Sequence, residues 1–445
     1  MKDLTKGNPL KIICIFALPI FVGGLFNLFY SLADMKILGL FVGNDALAAA
    51  GSISGLYDFL NSFIIGLCNG FGVVTAIHFG SGDMEKTRNT VSRSVFLSFA
   101  SALSVAALSM LAMDPVMKLL KIPEEVTSDS KAYISIMISG LVFSAVYNCL
   151  AAALRAVGDS FTPLIFLIVS TILNTGLDVL FVGGLDLGVR GAASATVLSQ
   201  FICCAACFFY TYVRYKELRF TPGEMLPKRG SGVLNLLSSG ISMALMSSMV
   251  AFGTLSLQSA INRLGPDIVI AHAATRKLSG IYMLPFGVFG TAMATYSGQN
   301  YGAGKKDRII RGLKSTVFIS FVYSLGCVLV SYTVCPSIIR AITSTSKPVI
   351  IENAVLYQKI DTLFYLVPAV ISIFRNSLQG MGEHTIPVVS SFSELLGKLL
   401  IALFLAPIIG YMGIIMAEPI VWIIMVIPLI IGMNKKMKEL DKDVI

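Results

Sequence analysis

The chain has 445 residues, 55% of them hydrophobic and only 13% charged, with a mean hydropathy of +0.80. That composition excludes an ordinary soluble domain of this size, in which about a quarter of the residues carry charge. The formal charge of +9 does not point to nucleic acid, because the basic residues sit between apolar runs and no soluble segment interleaves them with aromatics.

Met1 to Lys11 is polar and carries three lysines, and no small-residue cleavage site follows the first apolar run. A retained first helix is therefore expected, not a removed signal peptide. Apolar runs of about 20 residues, each long enough to cross the hydrocarbon core as a helix, then recur along the whole chain. They fall at about 12–33, 47–78, 94–113, 132–154, 163–182 and 191–213, and again at about 233–262, 268–298, 315–336, 358–378, 386–406 and 413–433. Ten-residue alternating patterns are absent, which argues against an outer-membrane barrel. The expectation is an all-α membrane protein with twelve transmembrane helices in two six-helix lobes: an N-lobe over 1–213, a linker over 214–232 and a C-lobe over 233–445. Pro222, Gly223 and Pro227 mark that linker.

An even number of spans puts both termini on one side. With the termini inside, inner segments hold 21 lysines and arginines and outer segments nine. Lysine and arginine concentrate on the cytoplasmic side, so both termini and the linker are expected in the cytoplasm.

The halves repeat. Gly43, Asp45, Ala49 and Leu56 match Gly265, Asp267, Ala271 and Leu278 at an offset of 222, and Gly80-Ser81-Gly82 matches Gly302-Ala303-Gly304 at the same offset. Gly158, Asp159 and Pro163 match Gly382, Glu383 and Pro387 at 224. Six helices per repeat return the second half in the orientation of the first, so a pseudo-two-fold along the membrane normal is expected, as in parallel-repeat secondary transporters. The two Gly-x-Gly loops lack the following Lys-Ser or Lys-Thr of a phosphate-binding loop, and no such loop occurs elsewhere. An ion gradient is then the expected energy source. Cys204 and Cys207 have a C-x-x-C spacing without a second pair or a histidine cluster, so helix packing is their expected role. No cofactor and no certain metal site are expected.

Charge inside a span costs at least a few kcal/mol and asks for a reason. Asp34 shares a helix-1 face with Asn27 and Tyr30, and Asp178 shares a helix-5 face with Asn174. Thr196 on helix 6 is a further polar candidate. Carboxylates held away from water take up a proton more readily, which is the chemistry of a proton-coupled transporter. The alternative is that Asp34 and Asp178 lie at wet helix ends. Asp58 faces either the cavity or the outer interface. In the second half, Glu394 and Lys398 are spaced to neutralise each other, Arg375 is placed to snorkel from an inner helix end, and Glu418 has partners only across helices, in Arg276 or Lys277. His272 reads as a packed residue more than a proton relay. Pro19, some four turns before Asp34, is a candidate hinge, and Pro285 and Pro368 are similar sites.

Taken in order, these residues resemble the multidrug and toxic compound extrusion (MATE) family over nearly the whole chain. The resemblance rests on Ala33-Asp34, Gly39, Gly43 with Ala48-Ala49-Ala50, both Gly-x-Gly loops, Arg155-Ala156-Val157-Gly158-Asp159 and Gly191-Ala192-Ala193-Ser194-Ala195-Thr196. It implies a V-shaped, two-lobed exporter that trades amphipathic, often cationic, drug-like compounds against protons or sodium. It also implies an ion-coupling cluster at Asp34, Asn174, Asp178 and Thr196, with a helix-1 bend at Pro19. Where family members with a C-lobe sodium site carry an acidic residue in helix 10, this chain has Pro368, and where an arginine usually precedes glycine it has Gln379. The reading is a proton-coupled antiporter of the cytoplasmic membrane that exports organic cations, with Asn27, Tyr30 and Asp58 on the substrate path. It is expected to be a monomer in the lipid bilayer, without nucleic acid. The alternatives are a sodium-coupled exporter of the same family and a lipid-linked saccharide flippase, which would call for more cationic residues in the first-half cavity. An enzyme is not expected, since no paired histidines or Gly-x-Ser-x-Gly loop occur.

Overall fold

The computed structural model describes residues 2–41, 44–119, 124–225 and 232–442, with the side chains of 30–41, 44–50, 52, 119, 124, 125, 222, 441 and 442 excepted. Among the described residues there are helices and turns but no strand. The first half runs α1 (Pro9–Phe41), α2 (Asn44–Gly80), α3 (Met84–Leu111), α4 (Met113–Leu119), α5 (Glu124–Ala156), α6 (Phe161–Asp178) and α7 (Gly188–Arg214). A short α8 (Pro222–Met225) follows. The second half runs α9 (Val233–Ile261), α10 (Pro266–Gly302), α11 (Lys306–Thr333), α12 (Cys335–Thr343), α13 (Pro348–Leu363), α14 (Leu366–Gly380), α15 (Thr385–Leu400), α16 (Ala406–Ile409), α17 (Tyr411–Ile415) and α18 (Ala417–Lys442).

Among the described residues eleven helical stretches are long and apolar enough to cross a bilayer, and α13 with α14, which pass the same test together, make a twelfth if they form one span, bent by 53°. The run expected as one helix over 358–378 is therefore two. Pro368 explains the break: its ring displaces the carbonyl of Phe364 four residues back and removes a donor, and the chain turns instead on a tight Val367 N–H bond to Phe364 O at 2.8 Å. Pro285 and Pro19, the other proposed bends, lie inside uninterrupted helices.

The duplication is visible in backbone geometry. Both Gly-x-Gly loops end a span the same way, with Gly82 at φ 79° and Gly304 at φ 66°, the left-handed position that closes a helix and that side chains resist. The loops are helix stops and not phosphate cradles. Asp159 Oδ1 accepts from the N–H groups of Phe161 and Thr162 and so caps α6, and Glu383 Oε1 accepts from Thr385 and Ile386 at the start of α15. Wide π turns occur at matching register, Val179–Gly184 after α6 and Ile401–Leu405 after α15.

The chain divides into two compact units. The first comprises Met1–Asp3 with Leu18–Ala244, the second Leu4–Ala17 with Leu245–Ile445. One division falls just before Pro19 and the other inside α9, so neither follows the linker. Glycine explains why the start of α9 joins the first unit. A Cβ on Gly66 would lie 2.6 Å from Met243 O, and one on Gly70 2.4 Å from Ser239 O. Only a glycine-x-x-x-glycine face allows backbones this close, and Ser239 Oγ uses the approach to donate to Gly70 O at 2.8 Å. In the second unit, Arg308 donates to the carbonyls of Gly7 and Leu4, and Gln299 Oε1 accepts from Leu4 N–H. The basic loop after Gly304 thus holds the N-terminal segment as well as biasing orientation. Arg155, counted from sequence as an inner-side charge, turns inward onto Asn69 Oδ1 at 3.1 Å.

Candidate functional site

In the first unit α6 and α7 bring three of the expected residues together. Asn174, Asp178 and Thr196 are 2%, 1% and 7% exposed. Asn174 and Asp178 lie one turn apart on α6, and the Asn174 amide meets Thr196 Oγ1 at 3.2 Å. With the amide oriented to satisfy both of its ends, its nitrogen donates to Asp178 Oδ2 at 2.9 Å and its oxygen accepts from Thr196 N–H and Oγ1, both at 3.2 Å. Asp178 is the last residue of α6, immediately before the π turn. Such wide turns free backbone groups and often mark functional positions in helices. Asn27 and Asp58 are exposed on α1 and α2. The side chains of Tyr30 and Asp34, the other expected site residues, lie outside the described residues.

The second unit holds a larger ionic constellation. Lys398 Nζ lies 2.9 Å from Glu394 Oε1 and 3.2 Å from Glu418 Oε1. Arg276 Nη1 is 3.4 Å from Glu418 Oε1, and Arg375 Nη2 is 3.6 Å from Glu394 Oε2. The charges alternate along a ladder: Arg276, Glu418, Lys398, Glu394, Arg375. Four of the five are deeply placed, while the Arg276 side chain retains 41% of its exposure. The expected Glu394–Lys398 and Glu418–Arg276 contacts are both present. Arg375 does not snorkel; its side chain is 13% exposed and faces inward to Glu394, since a buried carboxylate there offers a partner that an apolar environment does not.

At the Arg276 end the sequence reading missed Asp361. It sits in the last turn of α13, 1% exposed, where α13 breaks from α14. Around it Ser279 Oγ donates to Gln358 Oε1 at 3.2 Å, Gln358 Nε2 donates to Tyr365 Oη at 3.0 Å, and Tyr365 Oη reaches Ser279 Oγ at 3.4 Å. The signal was available: a carboxylate inside an apolar run, flanked one turn away on each side by Tyr357 and Tyr365. His272 is packed edge-on between Tyr357 and Tyr411, with Tyr411 Oη 3.4 Å from its Nδ1. Cys203, Cys204 and Cys207 are free and buried, and Cys207 lies in the apolar core of the first unit. Among the described residues no three His, Cys, Asp or Glu side chains stand close enough to hold a metal ion.

Repeated bundles of spans, with ionisable clusters buried inside each, define a multi-pass membrane transporter. The comparisons make this specific. The MatE family model matches residues 19–180 and again 242–404, and the chain belongs to that family, the one its sequence resembles. The double match follows the repeat read from the glycine landmarks. A probable multidrug resistance protein, YpnP of Bacillus subtilis (strain 168), is 31% identical over 69% of this chain and 68% of its own. The probable multidrug resistance protein NorM of Thermotoga maritima is 25% identical over 84% and 81%. Among solved structures, a MATE protein in complex with MaD3S superposes with a TM-score of 0.89 at 20% identity, over 99% of this chain and 98% of that one. A transporter of Pyrococcus furiosus, described as having a binding pocket of reversed polarity, superposes at 0.88 and 20% over the same shares. These structures establish the fold.

Proposed function

We propose that this chain is a proton-coupled antiporter that exports amphipathic organic cations across the cytoplasmic membrane, with both termini in the cytoplasm. The observation that carries the reading is Asp178, a fully buried carboxylate gripped by Asn174, which Thr196 in turn orients. A carboxylate at membrane depth is a functional group by default, and here its partner is an amide whose orientation follows whether it must donate or accept. Asp34 joins the proposal from sequence. The multidrug names of the relatives support export of varied organic compounds, and acidic residues in the first unit favour cations among them. The 21-to-9 basic bias supports the orientation.

Efflux of several cationic dyes from proteoliposomes, under set pH and sodium gradients, tests this. A pH gradient alone is expected to drive efflux, and Asp178→Asn and Asp34→Asn are each expected to abolish it while leaving folding intact, since the amide is nearly isosteric. Uphill efflux by both variants at the wild-type rate, or efflux driven only by sodium, would overturn the coupling assignment. Export of anions or lipids without any cation would overturn the substrate class.

A further inference from the structure

Asp361 Oδ1 is buried and has no hydrogen-bond partner among the described residues. The hydroxyls of Tyr365 and Ser279 reach toward the same carboxyl group, but they also bond each other and Gln358, leaving one carboxylate oxygen over. A buried unpaired acceptor is expensive unless something satisfies it part of the time. A proton does so, because a protonated carboxyl becomes a donor to its neighbours.

The site lies where a span is broken. Asp361 stands thirteen residues into α13, about 20 Å along the helix. Directly after it the backbone leaves the helical ladder for two residues at Phe364 and Tyr365. Irregular backbone inside a bilayer is tolerated where it lines a cavity or is packed in protein, and ions are bound there in transporters with discontinuous helices.

The neighbouring charges set what a proton would do. Arg276 and Ser279 face Asp361 from α10, Glu418 from α18, Tyr365 from the break, and Tyr357 and Gln358 from its own helix. Tyr411 of α17 and His272 of α10 pack on Tyr357, and Cys327 of α11 faces Tyr365. The ladder alone has three cations against two carboxylates. Ionised Asp361 is the third carboxylate and makes the group neutral.

We propose that Asp361 is an exchangeable proton site of the second unit, built at the break of its bent span. A hydronium ion gives its proton to the carboxylate, one of its O–H bonds breaking as the carboxyl O–H forms and a water molecule leaving, and the group of six passes from neutral to a net charge of +1 beside the partly exposed Arg276. An organic cation and the proton then disfavour each other at this unit, which is the coupling an antiporter needs. The role in export rests on the reading above; the proton site does not, and is tested without transport.

Infrared difference spectra of the purified full-length protein between alkaline and acid pH read protonated carboxyl groups directly. A carboxylic C=O band is expected to grow on acidification, to lose one component in Asp361→Asn and to keep a shifted one in Asp361→Glu. Tyr365→Phe and Ser279→Ala, which remove hydrogen bonds and not the titrating group, are expected to shift that component. These two carry the test if Asp361→Asn does not fold. Asp178→Asn is expected to leave the component in place. An unchanged band in Asp361→Asn, or in both hydroxyl variants, overturns the proposal, as does a component removed by sodium at constant pH, which would make this a metal-ion site. If the chain exports no cation but the Asp361 component is present, the export reading fails and the proton site stands.

Discussion

At one register of the repeat the two units made different choices. Thr196 in the first unit stands where Glu418 stands in the second, 222 residues on. Around Thr196 the partners are Asn174 and Asp178; around Glu418 they are Lys398 and Arg276. The same packing niche, next to the same π turn, thus holds a small polar cluster in one unit and the middle of an ion ladder in the other. Duplication preserved the backbone and let the chemistry diverge. A lone carboxylate with neutral hydrogen-bond partners can change its charge without stranding an opposite charge. A ladder resists such a change at its interior rungs, and the proton site proposed at Asp361 lies accordingly beyond its Arg276 end and not within it.

The comparison breaks first at Lys398, which serves two buried carboxylates. Lys398→Met is expected to be the most damaging single change, by about 3–5 kcal/mol, because it leaves buried charge uncompensated. Gel filtration after heating should show early loss of the monodisperse peak, and adding Glu394→Gln should restore part of it. Equal stability of the single variant and the wild type would mean that the ladder is wet in solution.

The first unit holds the start of α9 through close helix contact. Gly70→Leu drives a side chain into the Ser239 carbonyl on α9 and is expected to destabilise by about 3 kcal/mol, the upper range for overpacking. The same heating assay reads it, and Ser54→Ala, at an exposed position of the same helix, serves as a control with little effect.

A smaller effect sharpens the contrast of the two clusters. Asn174→Ala and Thr196→Ala each remove hydrogen bonds worth about 1 kcal/mol. Both are expected to slow pH-driven dye efflux without abolishing it, unlike Asp178→Asn. Complete loss in Asn174→Ala would give the amide an essential part in proton exchange.

The smallest expected effect concerns the equivalent caps. Burial of Asp159 works against its charge, but bonds from Thr162, Tyr215 and Phe161 prevail and hold it below the usual carboxylate range. A lowered folded value means that its contribution is present above the unfolded value and lost as pH falls through the folded one. Asp159→Asn is expected to lower stability near neutrality by about 1 kcal/mol or less and to flatten the acid side of a melting-temperature profile. A profile parallel to the wild type would show that the cap is indifferent to charge.

Sequence by itself determined the class of this protein, its number of crossings and its duplication. Apolar length is a local property that a bilayer reads directly, and the glycines that stop spans or let helices touch are required by backbone sterics wherever they fall. Asn174 with Asp178 was readable for the same reason, since one turn of helix sets their spacing. Glu418's partners were readable only in part: Arg276, 142 residues away, was one of two candidates, but Lys398, 20 residues away, was matched to Glu394 alone, and only the packing of α10, α15 and α18 brings all of them together. Asp361 carried a signal in its flanking tyrosines, but the sequence did not show what surrounds it. Inside an apolar run it read as part of a straight span, and its meaning depends on the break that Pro368 imposes and on Ser279 arriving from another helix. Tertiary structure decided those contacts because burial and pairing are properties of neighbours in space, which no periodicity along the chain records.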